Sequence, residues 1–313
     1  MAPERKSSNC STGALPPEVV VIAMRALTQI IPSVATADGA GVKLRRSIGS
    51  QRGLYVDPFL MLDEFYSDDP EDYLAGFPSH PHRGFETVTY MLDGHMRHED
   101  HLGNRGDLGP GDVQWMTAAG GIIHSEMPQQ SEGRLRGFQL WLNLPAAEKM
   151  RPARYRDISA SEIPALELPG GARIKVIAGQ VSLSGQSVAG PVNGAGAQLS
   201  TDPLYLDVHM PGLAALEIPV PQGHHAFLYL YEGEARIGPT GTGRALPRRA
   251  AGVLGDGHSV RIEAGASGAR ALLLAARALH EPVVQYGPFV MNTRAQIDQA
   301  VEDYRSGRLA AAH

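Results

Sequence analysis

The chain has 313 residues, 43% of them hydrophobic and 19% charged, with a formal net charge of −5 and a single cysteine, Cys10. That length suits about two domains of ~150 residues each, and the composition is that of a chain folding around ordinary apolar cores. The charge supplies no global basic field for nucleic acid, and one cysteine excludes an intrachain disulfide framework and a thiolate metal site.

The opening stretch "MAPERKSSNCSTGAL" is polar and reads as a flexible tail over residues 1–20. The "VVVIAM" run after it is too short to span a bilayer and lacks the build of a signal peptide. A soluble cytoplasmic protein is expected, with neither membrane nor direct nucleic-acid partners. From there 36 glycines and 23 prolines fall at short intervals. They punctuate "FETVTYML", "DVQWMTA" and "GFQLWLNL" in the first half and "RIKVIAG", "LYLDVHM", "AFLYLYEG" and "ALLLAARA" in the second. These runs read as strands of about 4–8 residues bounded by turns. A short helix is expected at 144–150, "LPAAEKM". A longer one is expected over "NTRAQIDQAVEDYRSGRL", where Asn292 or Thr293 can cap and Ile297, Ala300, Val301 and Tyr304 recur at helical spacing.

A weak internal repeat organises these strands. Gly94 in "TVTYMLDG" matches Gly233 in "AFLYLYEG", and the Gly-Asp turn at Asp112 matches the one at Asp256, each pair about 140 residues apart. The expected fold class is therefore all-β, with two β-barrel domains. The boundaries are 1–20 for the tail, 21–150 for the first barrel and 151–313 for the second, which ends in the helix. The segment from Pro145 to about Pro164 is the expected linker.

Two short motifs in the first half carry the chemistry. In a strand, residues two apart share a face. His80 and His82 of "FPSHPHRG" therefore converge, while Pro81 points away, as an edge strand allows. His124 and Glu126 of "GGIIHSEMP" converge in the same way. Two such pairs facing one barrel interior make a four-ligand metal site of three imidazoles and a carboxylate, with Glu126 also the best candidate base. Without sulfur, that set suits Fe(II), and Mn, Ni, Cu, Co or Zn also fit. Phe77, Trp115, Met116 and Met127 are expected to wall a dry pocket. Glu86 reads as a supporting group behind the ligands. His95, His98 and His101 read mainly as hairpin surface, with His98 supporting the pocket mouth. Alignment on the repeat sets Pro219, Pro221, Gly268 and Arg270 against the four ligands, so no second metal set is expected.

"HPHRGFETVTYMLDG", "GDVQWMTAAGGIIHSEMP", "GPFVMNT" and "DPFLMLDEF" resemble the pirin family, bicupins of the cupin superfamily, over residues 22–309. The resemblance implies two cupin-type barrels (double-stranded β-helix, or jelly-roll) facing each other, with metal only in the N-terminal one. It implies the ligands His80, His82, His124 and Glu126, with Fe(II) as metal. In some members it implies quercetin 2,3-dioxygenase activity, in which a flavonol is cleaved with loss of carbon monoxide. Other members imply a different reading, a metal- or redox-responsive regulator that binds a transcription factor or a metabolic enzyme without turnover. The expected partners are a phenolic substrate such as a flavonol in the first case and a protein in the second. A metal serving stability alone is the third reading.

Overall fold

The computed structural model describes residues 23–194 and 199–310, so the tail expected over 1–20 lies outside it. Strands dominate because short β-branched and aromatic runs alternate with glycines that turn the chain. Two large antiparallel sheets result. In the first, the order is Arg154–Ile158, Val113–Thr117, Phe85–Asp93, Leu135–Asn143, Phe59–Ser67, Val42–Arg46 and Val34–Asp38. In the second it is Leu27–Pro32, Ala250–Leu254, His224–Ile237, Ser259–Arg277, Leu204–Met210, Arg173–Ala178 and Ala165–Glu167. Position by position the two orders correspond. Phe85–Asp93 answers to His224–Ile237, whose Gly94 and Gly233 both take positive φ, 83° and 72°. The repeat seen in the sequence is thus a repeat of topology.

The halves also exchange chain. Leu27–Pro32, from the N-terminal side, is the edge strand of the second sheet, paired with Ala250–Leu254. Arg154–Ile158, within the expected linker, is the edge strand of the first, paired with Val113–Thr117. The two sheets share one buried cluster that includes Phe59, Tyr90 and Phe138 from the first and Phe227, Tyr229 and Tyr231 from the second. Phe59 meets Phe227 edge-on at 5.1 Å. The tyrosine hydroxyls crossing this layer find buried carboxylates: Tyr229 donates to Glu64 and Tyr90 to Asp207.

A smaller sheet closes the first barrel in the order Phe77–His82, Ile122–Pro128, Met96–Asp100, Arg105–Leu108. Phe77–His82 lies at its edge, which accommodates Pro78 and Pro81. The second barrel closes differently. Its long strands His224–Ile237 and Ser259–Arg277 bend and pair with Arg244–Leu246 and Ala215–Pro219. Matching the cross-strand pairs corrects the alignment made on turn glycines. His80 pairs with His124 across the first barrel, whereas Pro219 pairs with Ser259 in the second, not with Gly268. Pro219, Pro221, Gly268 and Arg270 are not the equivalents, because strands that continue through bends displace the turn landmarks. The interior of the second barrel is packed with aliphatic residues such as Ile218, Val260 and Ile262.

The helix expected at 144–150 is only a single 3₁₀ turn, Ala146–Glu148. Lys149 is drawn inward instead, its Nζ donating to the carbonyls of Gly84 and Val290 and to Asn143 Oδ1. The C-terminal helix spans Arg294–Arg305, with Thr293 and Gln296 forming a reciprocal capping box. Its buried residues Ile297 and Ala300 pack with Phe289, Met291 and Ile123, so it sits on the first barrel. No helix among the described residues is long and apolar enough to cross a membrane.

Candidate metal centre

Cross-strand register builds the site. On one face of the small sheet, His80 lies opposite His124, which lies opposite Asp100. One step along, Phe77, Glu126 and His98 form a parallel row. A bulge in Phe77–His82 inserts one extra residue between these rows. The three imidazoles each bring a nitrogen within 4.8 Å of the others, forming the one such cluster among the described residues. Ring centroids are 4.4 Å apart for His80 and His124, and 4.7 Å for His80 and His82.

The imidazoles suit a metal by their chemistry. His82 and His124 are 2% and 1% exposed. Burial, reinforced by neighbouring imidazoles, depresses both of their pKa values well below the usual histidine range. They therefore stay neutral and keep a lone pair. His80 donates from Nδ1 to the Pro78 carbonyl at 2.8 Å, and its Nε2 faces His82 Nε2 at 3.1 Å. His124 Nε2 is buried with no hydrogen-bond partner, a cost that a coordinated cation removes.

Glu126, two residues beyond His124 and opposite His98, is outside the cluster whose ligand atoms lie within 4.8 Å of one another. Its carboxylate is 2% exposed and both oxygens are engaged: Thr89 Oγ1 donates to Oε1 at 2.9 Å and Gln139 Nε2 to Oε2 at 2.8 Å. Thr89 and Gln139 come from the opposite sheet of the barrel, so no local motif announces them.

His80 and His82 line a pocket of about 580 Å³. Its walls include Phe77, Leu60, Met61 and Trp141, with Gln139 and Arg46 as polar points. Arg46 is clamped by Asp63, from Nε at 2.8 Å and Nη2 at 2.7 Å, and reaches Asp38 at 2.7 Å. Of the expected walls only Phe77 belongs. Trp115 is in the inter-barrel cluster and Met116 packs with Ala118 and Ile122, because alternation points the first outward and neither toward the pocket. Met127 lies against Gly76. Gln285, Gly287 and Pro288 reach the pocket from the C-terminal segment, a contribution that strand patterns within the first half do not reveal.

Glu86 is not a supporting group of the imidazoles. It lies on the strand face shared with Val88 and Tyr90, accepting from Thr117 Oγ1 at 2.6 Å. His95 is exposed and His101 accepts from the Ile123 amide, whereas His98 is wholly buried behind His124.

Two facing barrels, one filled with aliphatic residues and one carrying a histidine cluster at a pocket, define a two-domain cupin. The chain belongs to the Pirin family: that family's pattern matches residues 41–142, and the Pirin C-terminal cupin domain matches residues 205–310. A Pseudomonas aeruginosa protein named as a candidate quercetin 2,3-dioxygenase is 54% identical over 275 residues, 88% of this chain and 94% of its own. Pirin of Homo sapiens is 40% identical over 284 residues, covering 90% and 93% of the two chains. A crystal structure of quercetin 2,3-dioxygenase from Acinetobacter baumannii superposes with a TM-score of 0.80 at 30% identity, covering 92% of this chain and 99% of that one.

Proposed function

We propose that the chain is a metal-dependent dioxygenase that cleaves flavonols such as quercetin, with His80, His82, His124 and Glu126 as ligands and Glu126 as the base. The observation that carries this reading is the cluster of His80, His82 and His124, two of which line a pocket of about 580 Å³ that Phe77 and Trp141 also wall. Fe(II) is the proposed metal, and the sulfur-free donor set also accommodates Mn, Ni, Cu, Co or Zn. Bound there, the metal would supply Lewis acidity toward a substrate hydroxyl and a route to oxygen.

The remaining work belongs to the chain. Phe77, Leu60, Met61 and Trp141 offer flat apolar walls to a planar ring system and keep water from it. Glu126 accepts the proton of the substrate hydroxyl on a carboxylate oxygen. Thr89 and Gln139 hold that carboxylate in position, and the Gln139 amide can turn its oxygen to receive the new O–H.

The test is to load the protein with Fe(II) anaerobically, establish occupancy by elemental analysis, and follow quercetin absorbance on admitting air. Turnover is expected, reduced about 10²–10⁴-fold in Glu126→Gln. A fully loaded protein that leaves several flavonols intact would rule out the enzyme and leave a metal- or redox-responsive binding protein.

A further inference from the structure

Behind His124, away from the pocket, lies a chain of polar groups that metal coordination alone does not require. His124 Nδ1 faces His98 Nδ1 at 3.2 Å. His98 Nε2 faces Asp100 Oδ2 at 3.4 Å, and both side chains are fully buried. Asp100 is itself anchored: the amides of Leu102 and Asn104 donate to Oδ1 at 2.9 and 3.0 Å, and Asn104 Nδ2 donates to Oδ2 at 2.8 Å. Tyr155 stacks on His98 with ring centroids 4.5 Å apart and planes 27° from parallel. Gly106, cross-strand from His98, makes room for it, since a Cβ there would lie 2.0 Å from the Tyr155 hydroxyl.

The Asp100 end sets the direction of this chain. Asp100 Oδ2 can only accept, so His98 donates to it from Nε2. A His98 that carries its one proton there offers Nδ1 as an acceptor, and His124 donates to it from Nδ1. That arrangement leaves His124 Nε2, which has no hydrogen-bond partner, with its lone pair toward the other imidazoles. The second barrel supplies an internal control. Where the first barrel pairs Glu126 with His98 and His124 with Asp100, the corresponding strands of the second pair aliphatic residues, Ala264 with Ala235 and Ile262 with Ile237. The histidine–aspartate pair occurs in the barrel with the imidazole cluster and is replaced by aliphatic residues in the barrel without it.

We propose that His98 and Asp100 are positioning residues for the metal: they hold the proton on His124 Nδ1, aim Nε2 into the cluster, and increase the electron donation of His124. The pull of Asp100 passes through His98 to the ligand, as a carboxylate behind a metal-bound histidine does directly in simpler sites. The inference rests on the metal site proposed above and is independent of which substrate, if any, is turned over.

The test compares wild type with His98→Leu, His98→Gln and Asp100→Asn in the full-length chain, using Co(II) as a spectroscopic probe and chelator competition for affinity. Elemental analysis first establishes whether the wild type takes up one equivalent. His98→Leu removes the acceptor and is expected to weaken Co(II) binding about 10–100-fold and to alter its visible spectrum. His98→Gln can accept from His124 and donate to Asp100, and is expected to restore affinity to near wild type, which a merely space-filling role does not predict. Asp100→Asn is expected to raise the Fe(III)/Fe(II) potential of the iron-loaded protein, and it decides the matter should His98→Leu fail to fold. Unchanged affinity, spectrum and potential in a wild-type background that loads metal would overturn the relay while leaving the site intact. A wild type that binds no metal would overturn both.

Discussion

Glu126 and Glu86 are both buried carboxylates, yet their surroundings set them to different tasks. Glu126 receives a donor on each oxygen. Gln139→Leu strips one of them and is expected to cost about 1–3 kcal/mol of stability in denaturant melts; an unchanged midpoint would show that the bond is not made in solution. Glu86 has one donor, while its Oε2 is buried without a partner. Burial pushes its pKa up from 4.5 to about 7. A carboxyl with a raised folded pKa takes up protons on folding, so its contribution is full below pH 4.5 and is lost as pH rises to about 7. The loss is about 3 kcal/mol by the size of the shift. Glu86→Gln should therefore flatten the fall in stability between pH 5 and 8, as read by chemical denaturation at each pH. Persistence of the fall in the variant would assign it to other groups. At this scale His80, His82 and His124 were legible because the two-residue repeat of a strand puts them on one face. Thr89 and Gln139 were not, since only the closed barrel carries them across its interior to Glu126.

Among the elements, the C-terminal segment brings Gln285, Gly287 and Pro288 to the pocket wall. Its strand Phe289–Met291 runs beside Arg83, with the Val290 amide donating to the Arg83 carbonyl at 3.0 Å. Arg83 in turn ties the helix through Asp303 at 2.8 Å and bonds the Gly120 carbonyl at 2.6 Å. Gly84, at φ 95°, lets this strand approach, because a Cβ would lie 1.9 Å from the Val290 carbonyl oxygen. Gly84→Ala is expected to destabilise the protein by about 2–4 kcal/mol through backbone strain and this clash, and to speed amide exchange over residues 284–305 first. Lys149→Met, which leaves the Gly84 and Val290 carbonyls without its ammonium, is expected to speed exchange in the same segment by about 10-fold or more. Protection there equal to wild type in both variants would mean that the segment is held by its apolar contacts alone. The helix itself was readable from its cap and apolar spacing. The barrel it packs on was not, because an amphipathic face specifies that it must be covered and not by what.

For the whole molecule, strand exchange at both ends and the shared aromatic layer make independent unfolding of the halves costly. Separating them would expose Phe59, Phe138, Phe227 and Tyr229, and strip donors from the buried carboxylates Glu64 and Asp207. A single calorimetric transition is expected. Phe138→Ala, in the middle of that layer, should lower it as one peak, by about 3–5 kcal/mol of stability. Two resolved transitions with only one displaced would show that the halves melt separately.

The all-β class, the two-fold repeat, the C-terminal helix and the histidines that gather in the first barrel could be read from the chain alone. Each is written in local periodicity, in turn residues or in the two-residue parity of a strand, and these act over a few residues at a time. Tertiary structure alone decided that Leu27–Pro32 pairs with the second sheet, that His98 is buried behind His124, that Trp141 rather than Trp115 faces the pocket, and that Pro288 helps to enclose it. Those facts depend on which surfaces meet when barrels close and pack, and burial between distant segments leaves no period in the chain for the eye to find.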